Sequence, residues 1–115
     1  MSGGEETVRL RHMLDHAREA VSLVKGKMRD DLDSDRLLNL ALVRLVEIVG
    51  EAAARFPRER WSLYPEIPWP QIVSLRNRLI HGYDSIDFDI LWEIVTRDLP
   101  SLISHLEKIV GSEEN

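Results

Sequence analysis

The stretch RLLNLALVRLVEIVGEAAARF, residues 36–56, most constrains the fold, because it has a helical pattern that is apolar around most of its circumference. A helix of this kind must be covered on several sides, so the pattern predicts a central position. Its charged residues recur at spacings of three or four and form one polar edge: Arg44, Glu47, Glu51 and Arg55. Gly50 and Ala53 beside this edge would permit close approach of a neighbouring helix.

Amphipathic patterns precede and follow this central helix. Apolar residues recur at three-to-four spacing between about Thr7 and Met28, which predicts a first helix. Ser34 is the best-placed N-cap of the central helix, and Pro57 ends that helix. A proline-rich connection, PRERWSLYPEIPWP, then leads to the pattern PQIVSLRNRLIHGY, which predicts a third long helix terminated by Gly82.

The sequence also predicts helices in the C-terminal part of the chain. DSID supplies caps for FDILWEIVTRDL, and Pro100 breaks or kinks the path into SLISHLEKIV. No segment shows the alternation of a strand, and the sequence has no internal repeats. We predict an all-α bundle of four to five helices, formed by residues 7–110, with a disordered lead at 1–6 and a frayed tail at 111–115.

Composition excludes several classes of site. The chain of 115 residues contains no cysteine, so a thiol nucleophile, a disulfide and a thiolate metal site are all impossible, and a cytoplasmic protein is expected. No apolar run is long enough to span a bilayer, so no membrane partner is predicted. The net charge is −5, yet residues 55–82 carry five arginines against two acids, which favours an anion in that region.

Several other polar and aromatic residues have ordinary structural explanations. His12 and His16, with Glu19, have a spacing that could hold a metal, but their polar neighbours favour a solvated surface. His105 is expected to lie at the surface or in the core. Aromatic residues of the proline-rich connection favour core packing over base stacking: Trp61, Tyr64 and Trp69.

The octapeptide RNRLIHGY, residues 76–83, is the most specific candidate site. On a continuous helix, Arg76 and Tyr83 lie nearly on one line, and the adjoining edge carries three further polar residues: Asn77, Arg78 and His81. Spacing alone favours a structural interpretation, in which the cations suit a helix C-terminus and the tyrosine covers the core. Glu47 or Glu51 could orient Arg76 or His81 from the neighbouring helix, or could belong to a solvated stripe.

The R-x4-H-x-Y pattern formed by Arg76, His81 and Tyr83 resembles the HEPN superfamily. The wider stretch from about Leu37 to Asp87, with GEA, PW and HGY at matching intervals, is similar to HepT-like toxins that are paired with minimal nucleotidyltransferase (MntA-type) antitoxins. The resemblance implies a two-fold homodimer of helical bundles with a metal-independent endoribonuclease site and no cofactor. It also implies that the partner transfers AMP onto the motif tyrosine, here Tyr83.

The chemistry suits these residue types. Cleavage of RNA by its own 2′-hydroxyl needs proton transfers, for which His81 is suited, and positive charge on the phosphate, which Arg76 would supply. Asn77 and Arg78 would position the substrate. RNA rather than DNA is the predicted substrate, because the nucleophile is the 2′-hydroxyl. The expected function is the toxin of a type VII-like toxin–antitoxin pair; the alternative is a noncatalytic adaptor that binds a nucleotide or the nucleotidyltransferase partner.

Overall fold

The computed structural model describes residues 2–80 and 85–114, and within them the chain is an all-α bundle, which confirms the predicted fold class. The elements follow in the order α1 (Ser2–Leu23), α2 (Asp31–Ser34), α3 (Arg36–Arg55), a 3₁₀ helix (Arg58–Leu63), α4 (Trp69–Val73), α5 (Leu75–Leu79), α6 (Phe88–Glu93), a π-helix (Ile94–Asp98) and α7 (Leu99–Glu114). The only pairing of strand type among the described residues is one antiparallel bridge between Ile80 and Ile86.

Helix α3 occupies the central position that its apolar circumference predicts. It packs against α1, α4 and α5, while α7 packs against α1. Its buried positions include Leu42, Val46 and Val49, each fully removed from solvent. No helix in the described part of the chain combines the length and apolar character needed to cross a bilayer.

The ends of the chain differ from the prediction. Helix α1 begins at Ser2 rather than near Thr7, and α7 continues to Glu114. The early start has a physical reason in Glu6, whose side chain is only 5% exposed and accepts two bonds from the guanidinium of Arg60, at 2.7 and 3.1 Å. A buried carboxylate needs such a partner, and the pair ties the first turns of α1 to the 3₁₀ helix.

Two predicted boundaries near α1 and α3 are also wrong. Helix α1 ends at Leu23, before the predicted Met28, because Gly26 takes a left-handed conformation with φ of 74° and turns the chain. The N-cap of α3 is Asp35 rather than Ser34, since the Asp35 carboxylate accepts a bond from the Leu38 amide at 3.0 Å.

The single third helix predicted for residues 70–83 is two short helices. The break lies at Ser74, whose hydroxyl donates to the Gln71 carbonyl at 3.0 Å and competes with the helical backbone pattern. Helix α5 then ends at Leu79, because the Leu79 carbonyl accepts from the Asp87 amide at 2.9 Å. The predicted terminator Gly82 lies outside the described residues.

The last two predicted helices are continuous in the structure, because a π-helix joins α6 to α7. Asp87 of the DSID motif caps α6 by accepting from the Ile90 amide at 3.0 Å, as expected. Pro100 does not break the path, because the π-helix immediately before it widens the turn and relieves the clash of the proline ring with the preceding carbonyls. The π-helix also sets the direction in which Asp98 projects, toward α5.

Candidate active site

Helices α3 and α5 form the walls of an open cleft. Gly50 allows α4, which directly precedes α5, to approach α3 closely, as predicted, because a Cβ there would lie 3.2 Å from the Ile72 carbonyl oxygen. The exposed face of α5 places Arg76 and Asn77 over the charged edge of α3. The cleft has a volume of about 470 Å³, and its polar lining residues are Arg44, Glu47, Glu51, Arg76 and Asn77.

Arg76 is held from α3 by a single carboxylate. Its Nε lies 3.2 Å from Oε2 of Glu47, and its side chain is still 65% exposed. Among the described residues, no ion pair engages the terminal nitrogens of this guanidinium. The cation is therefore oriented along one edge and leaves its other donors open to the cleft, which is the arrangement that bidentate phosphate recognition needs.

Glu47 lies between two arginines. Its other oxygen, Oε1, is 4.0 Å from Nη1 of Arg44, and only 26% of its side chain is exposed. Of the contacts that the sequence left open, the structure shows the one between Glu47 and Arg76. Glu51 lines the same cleft but pairs with Arg55 at 2.9 Å, so the structure gives no contact between Glu51 and Arg76.

Arg78 is not brought into the cleft with Arg76. Two residues along an α-helix are separated by about 200° of rotation, so the two arginines point to opposite sides of α5. Arg78 donates to Oδ2 of Asp98 on the π-helix at 2.5 Å, and both side chains are about one-third exposed. Sequence reasoning missed Asp98, because the chain separation of twenty residues carries no periodic signal that links these two positions.

His81 and Tyr83 of the motif lie outside the described residues. The proposed alignment of Arg76 with Tyr83 relied on a helix continuing through residue 83, whereas α5 ends at Leu79 and Ile80 has extended dihedral angles. Directly after α5, Ile80 forms an antiparallel bridge with Ile86. The two residues' predicted roles therefore stay predictions based on the motif.

The histidine pair of α1 and the aromatic residues of the proline-rich connection are explained by their structural contacts. No group of three potential metal ligands occurs among the described residues, and His16 Nδ1 lies 2.7 Å from the carbonyl of His12. Trp69 is 3% exposed, stacks on Phe56 with ring centroids 4.7 Å apart and donates its indole N–H to the Tyr64 carbonyl. Core packing is thus confirmed for Trp69, and the Trp61 ring stacks on it with ring centroids 5.7 Å apart.

Comparisons with known proteins agree with the motif. The family model described as "Ribonuclease HepT-like" matches residues 13–109. A protein of Thermococcus cleftensis named "Probable ribonuclease HepT" is 36% identical over 100 residues, which cover 84% of this chain and 91% of that protein. A protein of Caldanaerobacter subterraneus subsp. tengcongensis that carries the name of an RNase is 32% identical over 105 residues. These residues cover 91% of this chain and 94% of that protein.

No solved structure matches this chain significantly. The match to the family nevertheless extends from α1 into α7 and includes the cleft formed by α3 and α5. The family inferred from the R-x4-H-x-Y pattern is confirmed, and with it the ribonuclease class. The chain belongs to the ribonuclease HepT-like family.

Proposed function

We propose that this protein is a metal-independent endoribonuclease whose site is built around Arg76, Asn77 and His81. The observation that carries the proposal is the open cleft in which Glu47 orients Arg76 while leaving its terminal nitrogens accessible. Membership of the ribonuclease HepT-like family supports RNA as the substrate.

The reaction uses the substrate's own 2′-hydroxyl. A base removes the 2′-hydroxyl proton, the 2′-oxygen bonds to phosphorus, and the bond from phosphorus to the 5′-oxygen breaks as an acid protonates that oxygen. The products are a 2′,3′-cyclic phosphate and a 5′-hydroxyl. Arg76 neutralises the charge that accumulates on the phosphate oxygens, Asn77 hydrogen-bonds the substrate, and His81 carries out a proton transfer.

Two copies complete the site. One histidine cannot readily act as base and acid in the same turnover, so a two-fold homodimer would bring a second His81 and Arg76 into a shared cleft. Such an interface is compatible with the open Arg76 cleft. It is also compatible with two exposed apolar side chains on α3, Leu37 at 81% and Leu40 at 48% exposure. Arg78, paired with Asp98, anchors α5 to the π-helix, and its predicted role in positioning substrate stays a prediction.

Regulation is proposed through Tyr83. Transfer of AMP to its hydroxyl by a minimal nucleotidyltransferase antitoxin would add a phosphate that pairs with the cations meant for RNA and would block the cleft. The protein would then be the toxin of a type VII-like toxin–antitoxin pair that acts in the cytoplasm. This regulation rests on the resemblance of the motif to HepT-like toxins.

The experiment is cleavage of a short end-labelled RNA in EDTA by the unmodified wild type, by His81→Ala and by His105→Ala. Intact mass would exclude prior modification of Tyr83, and circular dichroism would verify folding. We expect cyclic phosphate ends from the wild type and from His105→Ala, whose altered residue is on α7 away from the cleft. Binding of RNA without cleavage would instead support the noncatalytic adaptor, and full activity of folded His81→Ala would remove His81 from the mechanism.

A further inference from the structure

A groove separates α1 from α3 and meets the Arg76 cleft. It consists of two adjoining cavities of about 570 and 300 Å³, which share His12, Ala52 and Arg55 as lining residues. The smaller cavity and the Arg76 cleft in turn share Arg44 and Glu51. A continuous depression therefore crosses the exposed edge of α3, from the first turns of α1 to α5.

The α1 wall of this groove contains Arg9 and His12, and it also contains one acid, Glu5. Arg9 and His12 are three residues apart and line the same wall. Arg9 forms no ion pair with another residue in the described part of the chain, in contrast to Arg18, which contacts Glu107 of α7 at 2.7 Å. Nine residues of α-helix correspond to about 180° of rotation, so Arg18 lies on the opposite face of α1.

The groove also contains a second arginine, Arg55 of α3, and three apolar lining residues. Arg55 pairs with Glu51 at 2.9 Å, but its side chain is 69% exposed, and solvent-exposed ion pairs of this kind contribute little to stability. A phosphate can therefore replace Glu51 as its partner at small cost. Val8 of α1 and Ile48 and Ala52 of α3 line the groove and offer apolar contact to a sugar or a base.

The charge of the whole depression differs in sign from that of the protein. Its lining residues include four arginines and three glutamates, a surplus of one positive charge, whereas the chain carries −5. Two of the glutamates, Glu47 and Glu51, are already paired with lining arginines. A polyanion approaching this protein would thus be favoured along the depression over the rest of the acidic surface.

We propose that the groove between α1 and α3 is a second phosphate subsite, in which Arg9, His12 and Arg55 receive a phosphate of the same RNA strand that is cleaved at Arg76. The inference rests on the proposed ribonuclease function and adds the path of the strand. The subsite binds the sugar–phosphate backbone, so it raises affinity for longer RNA without selecting a base.

The test is binding of a fluorescent RNA of about twelve nucleotides whose 2′-hydroxyls are methylated, so that it cannot supply the nucleophile. Anisotropy titrations at several salt concentrations compare the wild type with Arg9→Ala and with Arg18→Ala, which removes the same charge from the opposite face of α1. We expect Arg9→Ala to weaken binding about fivefold to tenfold and to reduce the slope of log affinity against log salt by about one. Arg18→Ala should change neither quantity.

The outcomes separate this inference from the proposed activity. Equal binding by folded Arg9→Ala and Arg18→Ala, together with cleavage of unmodified RNA by the wild type, would overturn the subsite and leave the ribonuclease intact. Binding that depends on Arg9, without cleavage of any RNA, would overturn the ribonuclease and leave the groove as an RNA-binding site of a noncatalytic protein. If AMP binding depended on Arg9 while RNA binding did not, the groove would be a free-nucleotide site, and the strand path would be refuted.

Discussion

Glu47 provides a sharp test of how the cleft works, because it contacts Arg76 and has a matched neighbour that does not. Glu47→Ala removes the carboxylate that lies 3.2 Å from the Arg76 Nε, whereas Glu51→Ala removes an acid that lines the same cleft but pairs with Arg55. Both substitutions replace glutamate with the same residue in α3 and raise the net charge by one. A difference between them therefore reports the contact with Arg76.

The effect on stability should be small for both variants. The Arg76 side chain is 65% exposed, and solvent-exposed ion pairs contribute about 0.2–1 kcal/mol. Alanine is also the best helix former, which offsets part of any loss. We expect changes of about 0.5 kcal/mol or less in the free energy of unfolding, measured by urea denaturation.

The effect on activity should differ strongly between the two. Without Glu47, the Arg76 guanidinium loses its fixed edge and samples several rotamers, so we expect kcat to fall about tenfold, which corresponds to about 1.4 kcal/mol of transition-state stabilisation. Removal of either acid should strengthen RNA binding modestly, because one negative charge leaves the cleft. Glu51→Ala should therefore lower KM with little change in kcat.

The assay is steady-state cleavage of a defined short RNA by wild type and both variants, with kcat and KM resolved separately. Equal kcat values for Glu47→Ala and Glu51→Ala would refute the orienting role of Glu47. The ion pair would then belong to an ordinary solvated stripe on α3. A loss of stability much larger than that of Glu51→Ala would also refute the reasoning, since it would show that Glu47 supports the packing of α3 on α5.

Two further predictions concern regulation and the anchoring of α1. Tyr83→Phe lacks the acceptor hydroxyl, so a nucleotidyltransferase partner supplied with ATP should not add AMP to it, as measured by intact mass. The partner should also fail to inhibit cleavage of RNA by this variant. Inhibition by catalytic amounts of the partner would indicate another acceptor. Arg60→Ala leaves the Glu6 carboxylate buried without its partner and should reduce the free energy of unfolding by about 2–4 kcal/mol in urea melts. Glu6→Gln, which removes the charge and keeps a side-chain acceptor, should cost less, and the reverse order would contradict the role of the buried charge.

Much of the site was visible in the sequence because it depends on local spacing. The apolar circumference of residues 36–56 predicted the central helix, and the three-to-four spacing on its polar edge placed Glu47 and Glu51 where α5 could meet them. Gly50 indicated that a neighbouring helix approaches α3 closely, and in the structure that helix is α4. The motif from Arg76 to Tyr83 indicated the family, which the comparisons confirm.

Tertiary structure decided which acid meets which arginine and where helices stop. Glu47 and Glu51 are equivalent in spacing, and only the approach of α5 selects Glu47 as the partner of Arg76. Asp98 meets Arg78 because the π-helix turns it toward α5, and helical periodicity of the sequence alone cannot anticipate that extra residue in a turn. Local periodicity is a property of neighbouring residues, whereas ion pairs and helix ends depend on long-range packing and on competing hydrogen bonds that form only in the folded chain.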